Sequence, residues 1–321
     1  MELLVSCFPS VHAFKDSDGF FLDVSSWSGV TCDKENTVRS IRWRNVSGTI
    51  SLIDGQLECR FLPRSLIHLN LCRCGLRSSI DLSAIPPKME SLSLSHNRFT
   101  SSIDLTCLPN SLKELSLYSN LLSGSINLDA LPLSLLTLNL GSNSLSSVFD
   151  LSCLPRGIQF LSMRENEFYG PLHLGKVPDA VRRLLGSSNK ITGSADIESL
   201  PKQLIVLDFA RNDLCGTLSF ARLPARIEEI HLNDNSLSGS ICFMDLPASL
   251  SIVCLQSNQF QGTPYFKDIP SFVNLNYNNL VGTVLLPKIS SSVTQICMSG
   301  NMIENVLNDS GKKCFDYRLQ Y

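Results

Sequence analysis

The chain has 321 residues, a formal net charge of −2 and a pI near 6.2, and only 17% of its residues are charged. This balance excludes the basic footprint of a DNA- or RNA-binding surface and the polybasic patch of a membrane-surface protein. No apolar run approaches the roughly 18 residues of a membrane span, and the opening MELLVSCF is shorter than a signal peptide and lacks its basic start. The chain as given reads as soluble, with the cytosol preferred over the cell surface or secretion unless an upstream signal precedes it.

Residues 1–37 carry no repeat and no helical period. They are expected to form an N-terminal cap or a partly ordered segment, with Trp27, Phe20, Phe21 and Leu22 as the residues a cap would use. Residues 38–305 are governed by a period. A Pro returns every 23 residues from Pro63 to Pro270, and an Asn keeps the same step through Asn97, Asn120, Asn143, Asn166, Asn189, Asn212, Asn235 and Asn258. A three-residue deletion brings the next in at Asn278, and Asn301 restores the rhythm; Cys74 holds the equivalent place before Asn97. A fixed period of this length means a stack of coils, none able to bury its apolar face alone. Between Ile50 and Pro63 extra residues around IDGQLEC predict a protruding loop. Residues 306–321 lose the columns and are expected to be a C-terminal cap or tail, with Tyr317, Leu319 and Tyr321 as covering residues.

Within each coil, positions five and three before the Asn are apolar, as in Leu92 and Leu94, Leu115 and Leu117, or Leu161 and Met163. Such alternation is a short strand with one face inside. The Asn column follows the strand at a tight bend, where an inward carboxamide supplies both a donor and an acceptor to backbone groups of its own and the adjacent coil. Glycines four residues on, such as Gly124 and Gly193, permit the corner. The IDL or INL that follows predicts a second, shorter parallel strand, and little α-helix is expected anywhere. The twelve cysteines sit mostly at repeat positions, with no CxxC pair and one CxC at Cys72 and Cys74, and read as small packing residues rather than a disulfide framework or metal site. Glycosylation sequons occur at Asn45 and Asn308.

The columns LxxLxLxxNxL followed by SGxI resemble the leucine-rich repeat family over roughly residues 38 to 305. The resemblance implies a leucine-rich repeat solenoid, α/β by class convention but β-rich, with about 12 parallel strands on the concave face and short second strands and turns elsewhere. The SGxI segment is similar to the plant-type subclass, and WSGVTCDKENTV resembles that subclass's N-terminal cap. That cap usually carries paired cysteines; here Ser25 or Ser26 stands near the first position, leaving Cys32 without that partner. The 23-residue form with IDLxxLPxSL is also similar to leucine-rich repeat proteins of unicellular eukaryotes, including kinetoplastid surface antigens.

In that family ligands meet the concave sheet, so the resemblance points to the outward positions six, four and two before each Asn. Adjacent coils set these columns about 4.8 Å apart. Phe160, Arg164, Arg183, Leu185, Asp208, Glu229 and His231 are expected to form one mixed patch there, with Tyr118 on its flank. Aromatic and Arg residues amid complementary charge are what protein hot spots use; the alternative is a solvated sheet face. Gly186 replaces an inward Leu and predicts a local cavity, or a strand that turns Leu185 inward. The five histidines are dispersed over different columns, and no nucleophile, metal-ligand or P-loop spacing appears. The expected protein is a non-enzymatic monomer or weak dimer that recognises a protein or peptide, with no cofactor, metal or nucleic acid. The alternatives are a structural or cell-surface coat protein, or the repeat region of a larger receptor.

Overall fold

The structure is a computed structural model that describes residues 1–43, 52–314 and 319–320. The expectations placed on Asn45, Ile50, Tyr317 and Tyr321 lie outside the described residues. The chain is a β-solenoid of about 11 turns with parallel strands. Among the described residues, its one α-helix is the single turn Glu2–Val5. It divides into two compact units, residues 1–147 with 153–167 and residues 148–152 with 168–321.

The first unit opens with an aromatic cluster. Phe14 packs on Trp27 and Trp43 with ring centroids 4.6 and 5.2 Å away, and Phe8 meets Trp43 edge-on. Trp27 is buried, whereas Phe20 is 71% and Leu22 38% exposed. The expected role of those two residues is therefore taken by Phe8 and Phe14. The reason is local: Asp16 Oδ1 accepts from the N–H groups of Asp18 and Phe20, forming a turn that holds Phe20 at its tip. The described residues of the insertion, from Leu52 onward, do not form a free-standing loop either. Leu52, Leu57 and Cys59 are buried, and Gln56 N donates to the carbonyl of Cys7 while Asp54 N donates to that of Gly75.

Strand Val30–Cys32 pairs antiparallel with Val38–Arg42, after which the pairing is parallel through His68–Asn70, Ser91–Ser93, Glu114–Ser116, Thr137–Asn139 and Phe160–Ser162. The inward pairs from Leu69 and Leu71 to Leu161 and Met163 are at most 1% exposed. The repeat Pro carbonyls from Pro63 to Pro247 accept from the N–H three residues on, as Pro109 does from Leu112, which closes the turn leading into the strand. The residue before each Asn adopts a left-handed backbone, for example His96 with φ 56° and Ser119 with φ 57°. The bend this creates is held by the carboxamide. Asn97 Oδ1 accepts from Cys74 N and Leu76 N, both at 3.1 Å, while its Nδ2 donates to Leu71 O and Leu94 O, both at 2.8 Å.

In the first unit the second strand lies earlier than expected, at the glycine rather than in the IDL segment. Leu121–Gly124 is one such strand, and Gly124 has φ 83°. The IDL residues instead form 3-10 turns, as in Leu82–Ala84 and Leu105–Cys107, because the Asp side chain accepts the turn's free N–H: Asp81 from Ser83, and Asp104 from Thr106. In the second unit the expected short parallel strand does form in that segment, at Cys242–Phe243 and Tyr265–Phe266, and Asn279–Leu286 runs through it.

The second unit repeats this plan. Its first sheet runs Arg183–Leu185, Val206–Asp208, Glu229–His231, Ile252–Cys254, Phe272–Asn274, Gln295–Cys297 and Leu319–Gln320, all parallel. Its other large sheet runs from Tyr169–Pro171 through Lys190–Ser194, Asp213–Thr217, Ser236–Gly239, Gln259–Gly262 and Asn279–Leu286 to Met302–Asn308. The three-residue deletion costs no Asn bond. Asn278 Nδ2 still donates to Leu255 O at 3.1 Å and its Oδ1 still accepts from Phe260 N at 3.0 Å.

At Gly186 the space of the missing Leu is filled rather than empty. A Cβ there would lie 2.5 Å from Cε1 of Phe209, the residue of the same column in the next coil. Leu184 is the inward residue of this strand and Leu185 stays half-buried on the outward side.

Candidate functional site

The outward set is divided between the units. Tyr118, Phe160 and Arg164 belong to the first, and Arg183, Leu185, Asp208, Glu229 and His231 to the second, so each group is described separately.

In the first unit the structure brings Tyr118 and Arg164 together. Arg164 Nη2 donates to Tyr118 Oη at 3.0 Å, and the guanidinium carbon lies 5.1 Å from the ring centroid. The coil between them carries Gly141 in the same outward column. A Cβ there would come within 3.1 Å of Arg164 Cγ and 3.2 Å of Tyr118 Cδ2. His96 completes the row, meeting Tyr118 edge-on at 5.1 Å. This stacking fixes a cation that keeps further N–H donors free for a ligand. Phe160 is half-buried and sits four residues earlier than Arg164, away from that pair. Between them Ser162, nominally outward, is only 1% exposed.

In the second unit, register places Arg183, Val206 and Glu229 in one row and Leu185, Asp208, His231 and Cys254 in the next. His231 Nε2 is 3.0 Å from Glu229 Oε2, and Ser187 Oγ donates to Asp208 Oδ2 at 2.8 Å. Arg183 is exposed and separated from Glu229 by the buried Val206, with no acidic partner among the described residues. Column reasoning left Cys254 out of this surface. Its thiol stands beside His231, yet burial first, and then the charges of Asp208 and Glu229, push its pKa up to about 11. A thiol held protonated in this way is a poor nucleophile.

Sequence reasoning also missed a cavity of about 400 Å3 on the first unit's sheet face, lined by Arg42, His68, Asn70, Glu90, Lys113 and Glu114. Its polar walls come partly from residues seven before the Asn, Glu90 and Lys113, which the three outward columns do not include. Among the described residues, no cluster of three or more His, Cys, Asp or Glu side chains is arranged to hold a metal ion. No helix among them is long and apolar enough to cross a membrane.

No protein-family model matches the sequence, and no curated protein is significantly similar to it. Solved structures are. A plant ice-binding protein is 21% identical with a TM-score of 0.65, over 98% of this chain and 96% of that one. A TDR receptor is 19% identical with a TM-score of 0.60, over 84% of this chain and 56% of the receptor. The LRR ectodomain of the Arabidopsis receptor kinase HAESA, in complex with an N-terminally extended IDA peptide hormone, is 22% identical with a TM-score of 0.57, over 87% and 55%. The chain thus spans just over half the length of those two receptor structures. The fold is that of a leucine-rich repeat solenoid.

Proposed function

We propose that the chain is a non-enzymatic recognition module whose outward sheet face takes up a protein or peptide. The observation that carries this reading is the Arg164–Tyr118 pair, a cation immobilised on an aromatic ring across a glycine gap before any ligand arrives. Side chains fixed in advance on a stiff sheet avoid the ordering cost that weakens binding. Support from relatives is at the level of fold: the HAESA ectodomain structure holds a peptide hormone. The test is capture from extracts of the source cells, comparing wild type with Phe160→Ala and Arg164→Gln in the first unit and Arg183→Glu in the second. Each candidate partner is then remeasured with purified components. A partner bound by wild type and lost in a folded variant supports the reading. No partner for any form moves the reading to a structural or coat role, the kind of role the resemblance to kinetoplastid surface antigens suggests.

A second reading, binding to an ice surface, is favoured by one feature of the first unit. Asn70, Ser93, Ser116 and Asn139 stand in direct register across adjacent parallel strands. Such short polar groups repeat at about 4.8 Å, a spacing suited to an ordered water layer. The match to the plant ice-binding protein also extends along nearly all of both chains. Thermal hysteresis of the purified protein, with Ser116→Lys as control, decides it.

A further inference from the structure

The cavity on the first unit's sheet face has an uneven distribution of committed charge. Lys113 Nζ donates to Glu90 Oε2 at 2.8 Å, and Arg39, just outside, lies 2.6 Å from Asp33. These charges are spent on each other. Arg42 is exposed and meets no acidic group among the described residues. Asn70 is its register partner on the next strand. The Oδ1 of Asn70 accepts from Cys72 N at 3.0 Å, while its Nδ2 has no partner among the described residues. His68 precedes it by two residues on the same face. One end of the cavity therefore offers a guanidinium and a carboxamide N–H2 that no acid neutralises, with His68 beside them and near Glu90, which Lys113 already engages.

The opposite end has the reverse character. Glu114 is exposed, and a neutral hydroxyl, Ser91 Oγ, donates to its Oε2 at 2.9 Å. Register runs from the strand of Arg42 through those of His68 and Ser91 to that of Glu114, three strand steps. At about 4.8 Å per step the two ends are roughly 14 Å apart, the span of about four residues of extended peptide. A small anion would occupy only the Arg42 end of a cavity of about 400 Å3.

We propose that this cavity is a specificity subsite for a dipolar peptide segment, with an acidic side chain held by Arg42 and Asn70 and a basic side chain about four residues away held by Glu114. The proposal rests on the recognition reading above and names the chemistry of the partner. Arg is suited to the first task because its planar fork binds a carboxylate through two parallel N–H···O bonds.

A phage-displayed library of random 12-residue peptides, panned on the whole chain, tests it. Enriched peptides are then synthesised and titrated against wild type, Arg42→Gln and Glu114→Gln, with circular dichroism confirming that each variant is folded. The expected result is enrichment of an acidic and a basic residue about four apart. Affinity should fall at least about fivefold in either variant, and Arg42→Glu should recover binding when the peptide's acidic residue is replaced by Lys. Peptides bound equally by wild type and both variants would overturn the subsite while leaving the recognition reading standing. Failure of wild type to enrich any peptide would overturn both. Saturable binding of inorganic phosphate at Arg42, without peptide binding, would identify a simple anion site and overturn the proposal.

Discussion

Arg164 reaches the hydroxyl of Tyr118, two coils away, by lying across Gly141, and the 3.0 Å bond exists only because the intervening outward position has no side chain. Gly141→Val should displace Arg164. A double-mutant cycle with Tyr118→Phe and Arg164→Ala is expected to give a coupling of about 0.5–1 kcal/mol. In the Gly141→Val background the coupling should vanish, as measured by denaturant unfolding.

The Asn column predicts an asymmetry between two conservative changes. Asn166 Oδ1 accepts from Leu145 N, and its Nδ2 donates to Leu140 O and Met163 O. Asn166→Leu should cost about 1–3 kcal/mol by leaving these buried backbone groups unpaired. Asn166→Asp keeps the acceptor, loses the donor and sets a carboxylate against the carbonyls of Leu140, Met163 and Arg164, so it should cost at least as much at pH 7. Ser93→Ala, on the outward face, should be nearly silent in the same urea melts.

Gly186 and Phe209 are a complementary pair across adjacent coils. Phe209→Ala should lose about 3–5 kcal/mol through the cavity it opens, and Gly186→Leu should lose about 1–3 kcal/mol through overpacking. The double change Gly186→Leu with Phe209→Leu restores the column found elsewhere and should be markedly more stable than the sum of its parts. Thermal melts of the wild type, the Gly186→Leu and Phe209→Leu single variants and the double variant check it.

The capping aspartates predict acid sensitivity. The hydroxyl and then the N–H of Thr106 hold the Asp104 carboxyl below the usual carboxylate range, and the N–H of Ser152 does the same for Asp150. A folded pKa below the unfolded one contributes stability that is present above the unfolded value, about 3.9, and is lost as pH falls through the folded value. The urea midpoint should therefore drop below about pH 4. Asp104→Ala with Asp150→Ala should lower it at pH 7 and flatten its acid limb.

Thiol reactivity should follow burial. Burial pushes Cys59 up to about 12 and Cys254 up to about 11, whereas Cys215 and Cys242 are exposed. Iodoacetamide at pH 8 should label Cys215 and Cys242 in the native protein, and Cys59 and Cys254 only after unfolding, as read by peptide mass spectrometry.

The period, the inward Leu columns and the parallel strands were legible in the residues because each coil repeats one solution to one problem, burying an apolar face that is too small to stand alone. The second strand was legible where it forms at Cys242–Phe243 and Tyr265–Phe266, and misplaced by a few residues in coils such as those of Asp81 and Asp104, because alternation alone does not register that an Asp side chain can satisfy a turn's N–H and favour a 3-10 turn over a strand. Tertiary structure decided whatever depended on what lies in the neighbouring coil. The ring of Phe209 fills the space at Gly186, Gly141 opens the path from Arg164 to Tyr118, and the residues before Pro63 dock on Cys7 and Gly75. The sequence by itself determined the coil and its stacking, since those follow from periodic hydrophobicity and backbone hydrogen bonding. Only the stacked structure decided which outward groups meet, because side-chain volume in one coil acts on the next, 23 residues away in the chain.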